Sequence, residues 1–151
     1  MLIERYRMSR GRAIAGQNRG RGLEDEVQAS LKAVGLPFGR GVTFTGQKGE
    51  TAKADFAIPD KDRPKIVVEV KGFEATGSKL TDFLGDVLKI GRAKDYHMYF
   101  FLVTDGRGWR NRVSDLRQIV QYQQENLVDM IYTRRRLGEL ARTARRILDT
   151  E

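Results

Sequence analysis

The chain of 151 residues has no cysteine, one histidine (His97) and one tryptophan (Trp109). Without cysteine there is neither a disulfide framework nor a thiolate metal site, and the composition suits a reducing cytoplasm. His97 lies between Tyr96 and Met98 at the start of an apolar run, where packing or surface display is its expected role. Serine-type hydrolysis would need that histidine as base, and no G-x-S-x-G motif accompanies it. "GRAKDY" and "GRGW" do not make a phosphate cradle, because no G-x-x-x-x-G-K-[ST] loop occurs. No apolar run reaches the roughly 18 residues of a membrane-spanning helix. The N-terminal "MLIERYRMSRGR" carries charge where a secretory signal needs its apolar segment, so a cytoplasmic protein is expected.

Charge, by contrast, is abundant. Lys+Arg number 28 against 20 Asp+Glu, a net +8 with a pI near 10.0. That balance points to a polyanionic partner. Arginine supplies much of it, and its planar fork suits phosphate oxygens and guanine edges. Arg5, Arg7, Arg10, Arg12, Arg19 and Arg21 precede the first convincing helix, and Arg134, Arg135, Arg136, Arg142, Arg145 and Arg146 lie on the last. Arg10, Arg12, Arg19, Arg21 and Lys53 are the expected nucleic-acid contacts; solvated faces are the competing reading. A membrane surface fits less well, since the N-terminal arm has no strong apolar face.

Periodicity predicts an alternating α/β chain. Residues 1–21 read as a flexible basic arm and 22–151 as one domain. Leu23, Val27, Leu31 and Val34 recur at helical spacing, so a helix is expected over about 22–34, ended by Gly35. Strands are expected at Phe38–Thr45, Lys53–Ile58 and Lys65–Lys71, forming an antiparallel meander. Ser78 is placed to cap a helix to about Ala93 that presents Leu80, Phe83, Leu84, Val87 and Leu88 on one face. Met98–Val103 is a continuous apolar run, as in a strand buried on both faces. Ser114 caps a further helix, Leu127–Tyr132 is a last strand, and Thr133 caps the last helix.

Three residues stand out in this frame. Asp55 lies in "KADFAIP", and Glu69 and Lys71 lie in "IVVEVKG". In a strand, alternate residues share a face, so Ile66, Val68 and Val70 point one way and Val67, Glu69 and Lys71 the other. Charges on an otherwise apolar strand are costly unless paired or bound to a metal. An Asp from the preceding strand can bring a second carboxylate to the same spot. Two carboxylates suit Mg²⁺, with Mn²⁺ as a substitute, and an adjacent ammonium suits a phosphodiester undergoing metal-assisted hydrolysis. The competing reading is an edge strand bearing an exposed Glu–Lys pair.

Asp55 followed by Glu69-Val70-Lys71 resembles the PD-(D/E)xK nuclease superfamily, which includes most type II restriction endonucleases. The resemblance implies a restriction-endonuclease-like core, a central mixed β-sheet flanked by helices. It also implies a Mg²⁺-dependent endonuclease acting on double-stranded DNA. Asp55 and Glu69 would bind the metal with the Val70 carbonyl, and Lys71 would position the attacking water. The crossover helix from Ser78 would place Met98–Val103 beside Lys65–Lys71 and make the latter an internal strand. An acidic residue on the first helix is also implied; in "GRGLEDEV" Glu24 matches, with Glu26 the competitor. A second resemblance, over residues 98–140, runs from "YFFLVTDGRGWRNRVSDL" to "DMIYTRRRLGEL". It is to bacterial restriction endonucleases including those that cut GATC. Such enzymes generally carry about as much chain again for target recognition, so this chain is either a catalytic domain or condenses recognition into its loops and arm. A homodimer is implied, built on the helix carrying Val120 and Tyr122 and leaving Thr133–Asp149 free for phosphate. A structure-selective nuclease such as a Holliday junction resolvase, and a non-catalytic DNA-binding module, are the alternative readings. Trp109 is expected as a local core anchor, with base stacking as its alternative.

Overall fold

A computed structural model describes residues 12–72, 78–105 and 113–150, with side chains described from residues 22, 82 and 117 onward at the starts of the three helices concerned. The elements are α1 (Arg12–Ala33), β1 (Gly39–Thr45), β2 (Thr51–Ile58), β3 (Ile66–Lys71), α2 (Ser78–Ala93), β4 (Tyr99–Thr104), α3 (Val113–Gln124), β5 (Met130–Thr133) and α4 (Leu137–Asp149). A short 3₁₀ turn, Arg134–Arg136, precedes α4. The strands form one sheet in the order β1-β2-β3-β4-β5. β1, β2 and β3 are antiparallel, whereas β4 runs parallel to β3 and β5 parallel to β4. The mixed α/β sheet and the internal position of β3 are as expected.

Helices cover both faces, and this is why β3 and β4 read as unbroken apolar runs. Ile66, Val68, Val70, Phe101 and Val103 face α1 and α4, where they meet Leu23, Val27, Leu31 and Leu140. Val67, Phe100 and Leu102 face α2 and α3, where they meet Phe83, Val87, Ile90 and Ile119. Each such side chain, fully withdrawn from water, contributes roughly 1.5–3 kcal/mol. Charge stitches the far end of the sheet: Lys94 Nζ lies 2.9 Å from Asp129 Oδ2, which also accepts the Phe100 amide at 2.7 Å.

Several boundaries differ from the expectations. α1 starts at Arg12, so residues 12–21 of the expected flexible arm have helical backbone. Propagating a helix adds one hydrogen bond per residue fixed, whereas nucleating it is costly. The turns anchored by Leu23, Val27 and Leu31 therefore extend upstream through a Gly- and Arg-rich stretch that has no apolar period of its own. β5 is shorter than expected. Thr133 does not cap the last helix: it precedes the 3₁₀ turn and makes no side-chain capping hydrogen bond. α3 begins at Val113, so Ser114 lies within it.

The β1–β2 hairpin is docked onto the end of α2. Gly46 packs its backbone against the Ala93 carbonyl so closely that no Cβ would fit, and Asp95 accepts the Gln47 amide at 2.7 Å. Between β2 and β3, Asp60 accepts the amides of Asp62 and Arg63 at 2.9 and 2.8 Å, closing the Pro59–Pro64 turn.

Candidate active site

Asp55 and Glu69 meet where the sheet opens. The β2–β3 register runs Ile58↔Ile66, Ala57↔Val67 and Phe56↔Val68 and stops there; Asp55 and Glu69 are the next residues on each strand. On the other side of β2, Val42↔Ala54 and Arg40↔Phe56 are paired, but Gly41 and Asp55 between them are not. Gly41 has φ +61°, a left-handed conformation open to glycine at little cost. The strand changes face at this point. Ala52 and Ala54 pack toward α2, Phe56 and Ile58 toward α1. Asp55 thus sits at an interruption of backbone pairing on both edges of its strand, as at a bulge.

The carboxylate of Asp55 takes up part of the freed pairing. Its Oδ2 accepts the Val70 amide at 2.7 Å. β3 itself does not move aside, because Glu69↔Leu102, Val70↔Val103 and Lys71↔Thr104 remain paired with β4. Removal from water, first, then a hydrogen bond to Asp55 and the negative charges of Asp55 and Asp86, push the Glu69 carboxyl up to about 10. Charge on Glu69 is therefore disfavoured at this spot unless a cation stands beside it.

The first helix delivers a third carboxyl. Glu24 is within hydrogen-bonding reach of Asp55, and burial and the Asp55 charge raise its pKa. Arg40 opposes that shift from the other side, at 3.1 Å from Glu24 Oε2. Arg40 also donates to Asp25 at 2.8 Å and to Gln28 at 3.1 Å, and its guanidinium stands 5.7 Å from the centre of the Phe56 ring. Glu26 turns elsewhere and accepts from Arg134 at 2.7 Å. Of the two acidic candidates on α1, Glu24 is the one beside Asp55.

Lys71 follows Glu69 on the same face, its ammonium 5.9 Å from the centre of the Phe83 ring on α2. Lys53 lines a cavity of about 400 Å³ together with Gly41, Asp55, Glu69, Asp86 and Lys89. Sequence reasoning missed Arg40 and Asp86 and gave Lys89 no role. The i, i+3 spacing of Asp86 and Lys89 on the polar side of α2 was available as a signal; nothing in the sequence marks Arg40. Val70 contributes its amide to the Asp55 contact. Arg10 and Trp109 lie outside the described residues, as do the side chains of Arg12, Arg19 and Arg21, which stand on the upstream half of α1. His97 is exposed, its ring 3.8 Å from that of Tyr96.

Among the described residues no three His, Asp or Glu side chains are so placed that all could hold one metal ion. The donor set nonetheless fits a hard cation, since Mg²⁺ is commonly held by one or two carboxylates and completed by water. Asp55 and Glu69 are such a pair, at the point where β2 and β3 part.

A mixed sheet with helices on both faces is consistent with a restriction-endonuclease-like core. The chain belongs to the DpnII restriction endonuclease family, whose family model matches residues 21–135. Membership implies a restriction-type DNA nuclease. Searches of the curated proteins and of the solved structures found no match. No helix among the described residues is long and apolar enough to cross a membrane.

Proposed function

We propose that the chain is a Mg²⁺-dependent endonuclease that hydrolyses phosphodiester bonds of double-stranded DNA in the cytoplasm, with Mn²⁺ as a substitute ion. The observation that carries this reading is the convergence of Asp55 and Glu69 at the end of the β2–β3 pairing. The bound ion would supply Lewis-acid charge and a coordinated water of lowered pKa. Asp55 and Glu69 would hold it, and the Val70 carbonyl is a third candidate oxygen. The Val70 amide fixes Oδ2 of Asp55 at 2.7 Å. Lys71, on the same strand face as Glu69, would orient the attacking water and offset charge on the phosphate. Glu24 would accept a hydrogen bond from water at the Asp55 side. In-line attack would leave a 5′-phosphate.

Two-strand cleavage would follow from a homodimer with two such sites about a two-fold axis. Val120 on α3 is 38% exposed and available for that contact, whereas Tyr122 is packed against the core. Sedimentation with and without duplex tests this arm of the reading.

The decisive assay offers duplex, nicked and four-way-junction DNA with Mg²⁺ or with EDTA. Duplex cleavage that needs the metal and falls by several orders of magnitude in Asp55→Ala, Glu69→Ala and Lys71→Ala is the expected result. Cleavage of junctions alone would make it a structure-selective nuclease. Binding without cleavage would make it a DNA-binding module. Full activity of Glu69→Ala would remove the site as drawn.

A further inference from the structure

A second cavity, of about 490 Å³, opens beside the first between the β1–β2 hairpin and α2. Lys89 lines both. Together they make a trough that starts at Asp55 and Glu69 and runs along one stripe of α2. Gly85, Lys89 and Arg92 line its helix side, spaced i, i+4, i+7 as residues of one helix face are. Gly49 and Thr51 line its hairpin side, and Lys53 joins at the carboxyl end. Glu50 is the one acidic group on the hairpin wall of the second cavity.

The cations of this trough differ from many others on the surface. Arg40, Arg134, Arg136 and Arg145 are each bonded to a carboxylate. Lys53, Lys89 and Arg92 form no ion pair among the described residues. They stand beside Asp55 and Asp86, whose carboxylates would repel a phosphodiester unless opposite charge were at hand. From Asp86 to Arg92 the helix rises about 9 Å. One DNA strand presents a phosphate about every 3.4 Å along its axis, so the stripe spans two or three phosphates.

We propose that this trough seats the sugar–phosphate backbone of the cut strand beside the scissile bond. Lys89 and Arg92 hold successive phosphates, and Lys53 holds the one nearest the carboxyl pair. Gly85, where a Cβ would meet nothing within 4 Å, keeps the helix side low enough for the backbone to pass. The assignment rests on the DNA-cleaving reading of the adjoining carboxyls and adds the path of the substrate. It places that path along α2 rather than on the arginine-rich α4.

The test is the affinity of the full chain for a labelled duplex, read by fluorescence anisotropy in EDTA over a salt series. The Lys89→Ala/Arg92→Ala double variant should bind roughly ten-fold more weakly at moderate salt, with the slope of log affinity against log salt lowered by about two. Arg142→Ala/Arg146→Ala, which removes the same charge from α4, should change the slope less. Gly85→Glu separates binding from folding. A better helix former in a helix interior raises Tm, while a carboxylate in the trough lowers DNA affinity. Unchanged affinity and slope in the Lys89/Arg92 variant, an equal or larger effect of the α4 pair, or undiminished binding by Gly85→Glu would each overturn the proposal. Because binding is read without metal, a wild-type chain that binds through the trough but never cleaves would sink the nuclease reading and leave the trough standing.

Discussion

The Asp55 carboxylate accepts a hydrogen bond of 2.7 Å from the Val70 amide, across the point at which β2 and β3 stop pairing. A side chain here does what a backbone carbonyl does one residue earlier in the ladder. The substitution keeps a buried amide satisfied while the strands part, and it aims a carboxylate into the opening that parting creates. Site and sheet defect are therefore one feature.

Its electrostatic consequence is testable on the metal-free protein. The Glu69 carboxyl is raised from 4.5 to about 10, so folding takes up a proton at any pH between the two values. Stability from this group is complete below the lower value and is lost as pH rises through the upper one, at no more than about 1.4 kcal/mol per pH unit. Glu24, shifted in the same direction, adds to the trend. Thermal denaturation in EDTA should show Tm falling from mildly acidic to alkaline pH. Glu69→Gln should flatten the fall and raise Tm at neutral pH, and millimolar Mg²⁺ should do the same for the wild type. A Tm independent of pH in EDTA would show that the pair carries no such strain.

Arg40 should separate folding from chemistry. Its ion pairs are partly exposed, each worth about 1 kcal/mol or less, and Arg40→Met keeps an apolar stem near Phe56. Stability should change little. Arg40 lowers the pKa of Glu24, so its removal should carry that carboxyl further up and move the acidic limb of the cleavage-rate profile to higher pH. Single-turnover rates across pH check this; a superimposable profile would show that Glu24 takes no part.

Gly22→Ala distinguishes two origins of α1. With the helix starting at Arg12, Gly22 is interior, and a Cβ there meets nothing within 4 Å. Alanine should then stabilise by about 1 kcal/mol. Were Gly22 the cap of a helix beginning there, the same change would destabilise. Chemical denaturation decides the sign.

Gly46→Ala should act the other way. Its Cβ would run into the Ala93 carbonyl, so the hairpin must lift from α2 at a cost of about 1–3 kcal/mol. Denaturation measures the loss, and Gly22→Ala serves as the contrasting glycine replacement.

Much of this protein was legible in its sequence because the signals were local. Two-residue alternation in "IVVEVKG" placed Glu69 and Lys71 on the face away from Val68 and Val70. The apolar run after Met98 marked a strand covered on both sides, and the helical segment between the two implied the parallel crossover that makes β3 internal. Other features have no local signal. The extension of α1 to Arg12 comes from cooperative propagation out of a packed segment. The exchange of faces between Ala54 and Phe56 depends on two strands losing their pairing at the same level. Glu24 and Glu26 are alike in sequence, and only the neighbours of each, Asp55 and Arg40 for one and Arg134 for the other, separate them. Arg40, Asp86 and Lys89 gain their meaning from chain segments far away in sequence. Periodicity encodes which face of an element is buried. Which charged groups meet across elements is decided by packing, where the cost of burying a carboxyl selects the partners that stand beside it.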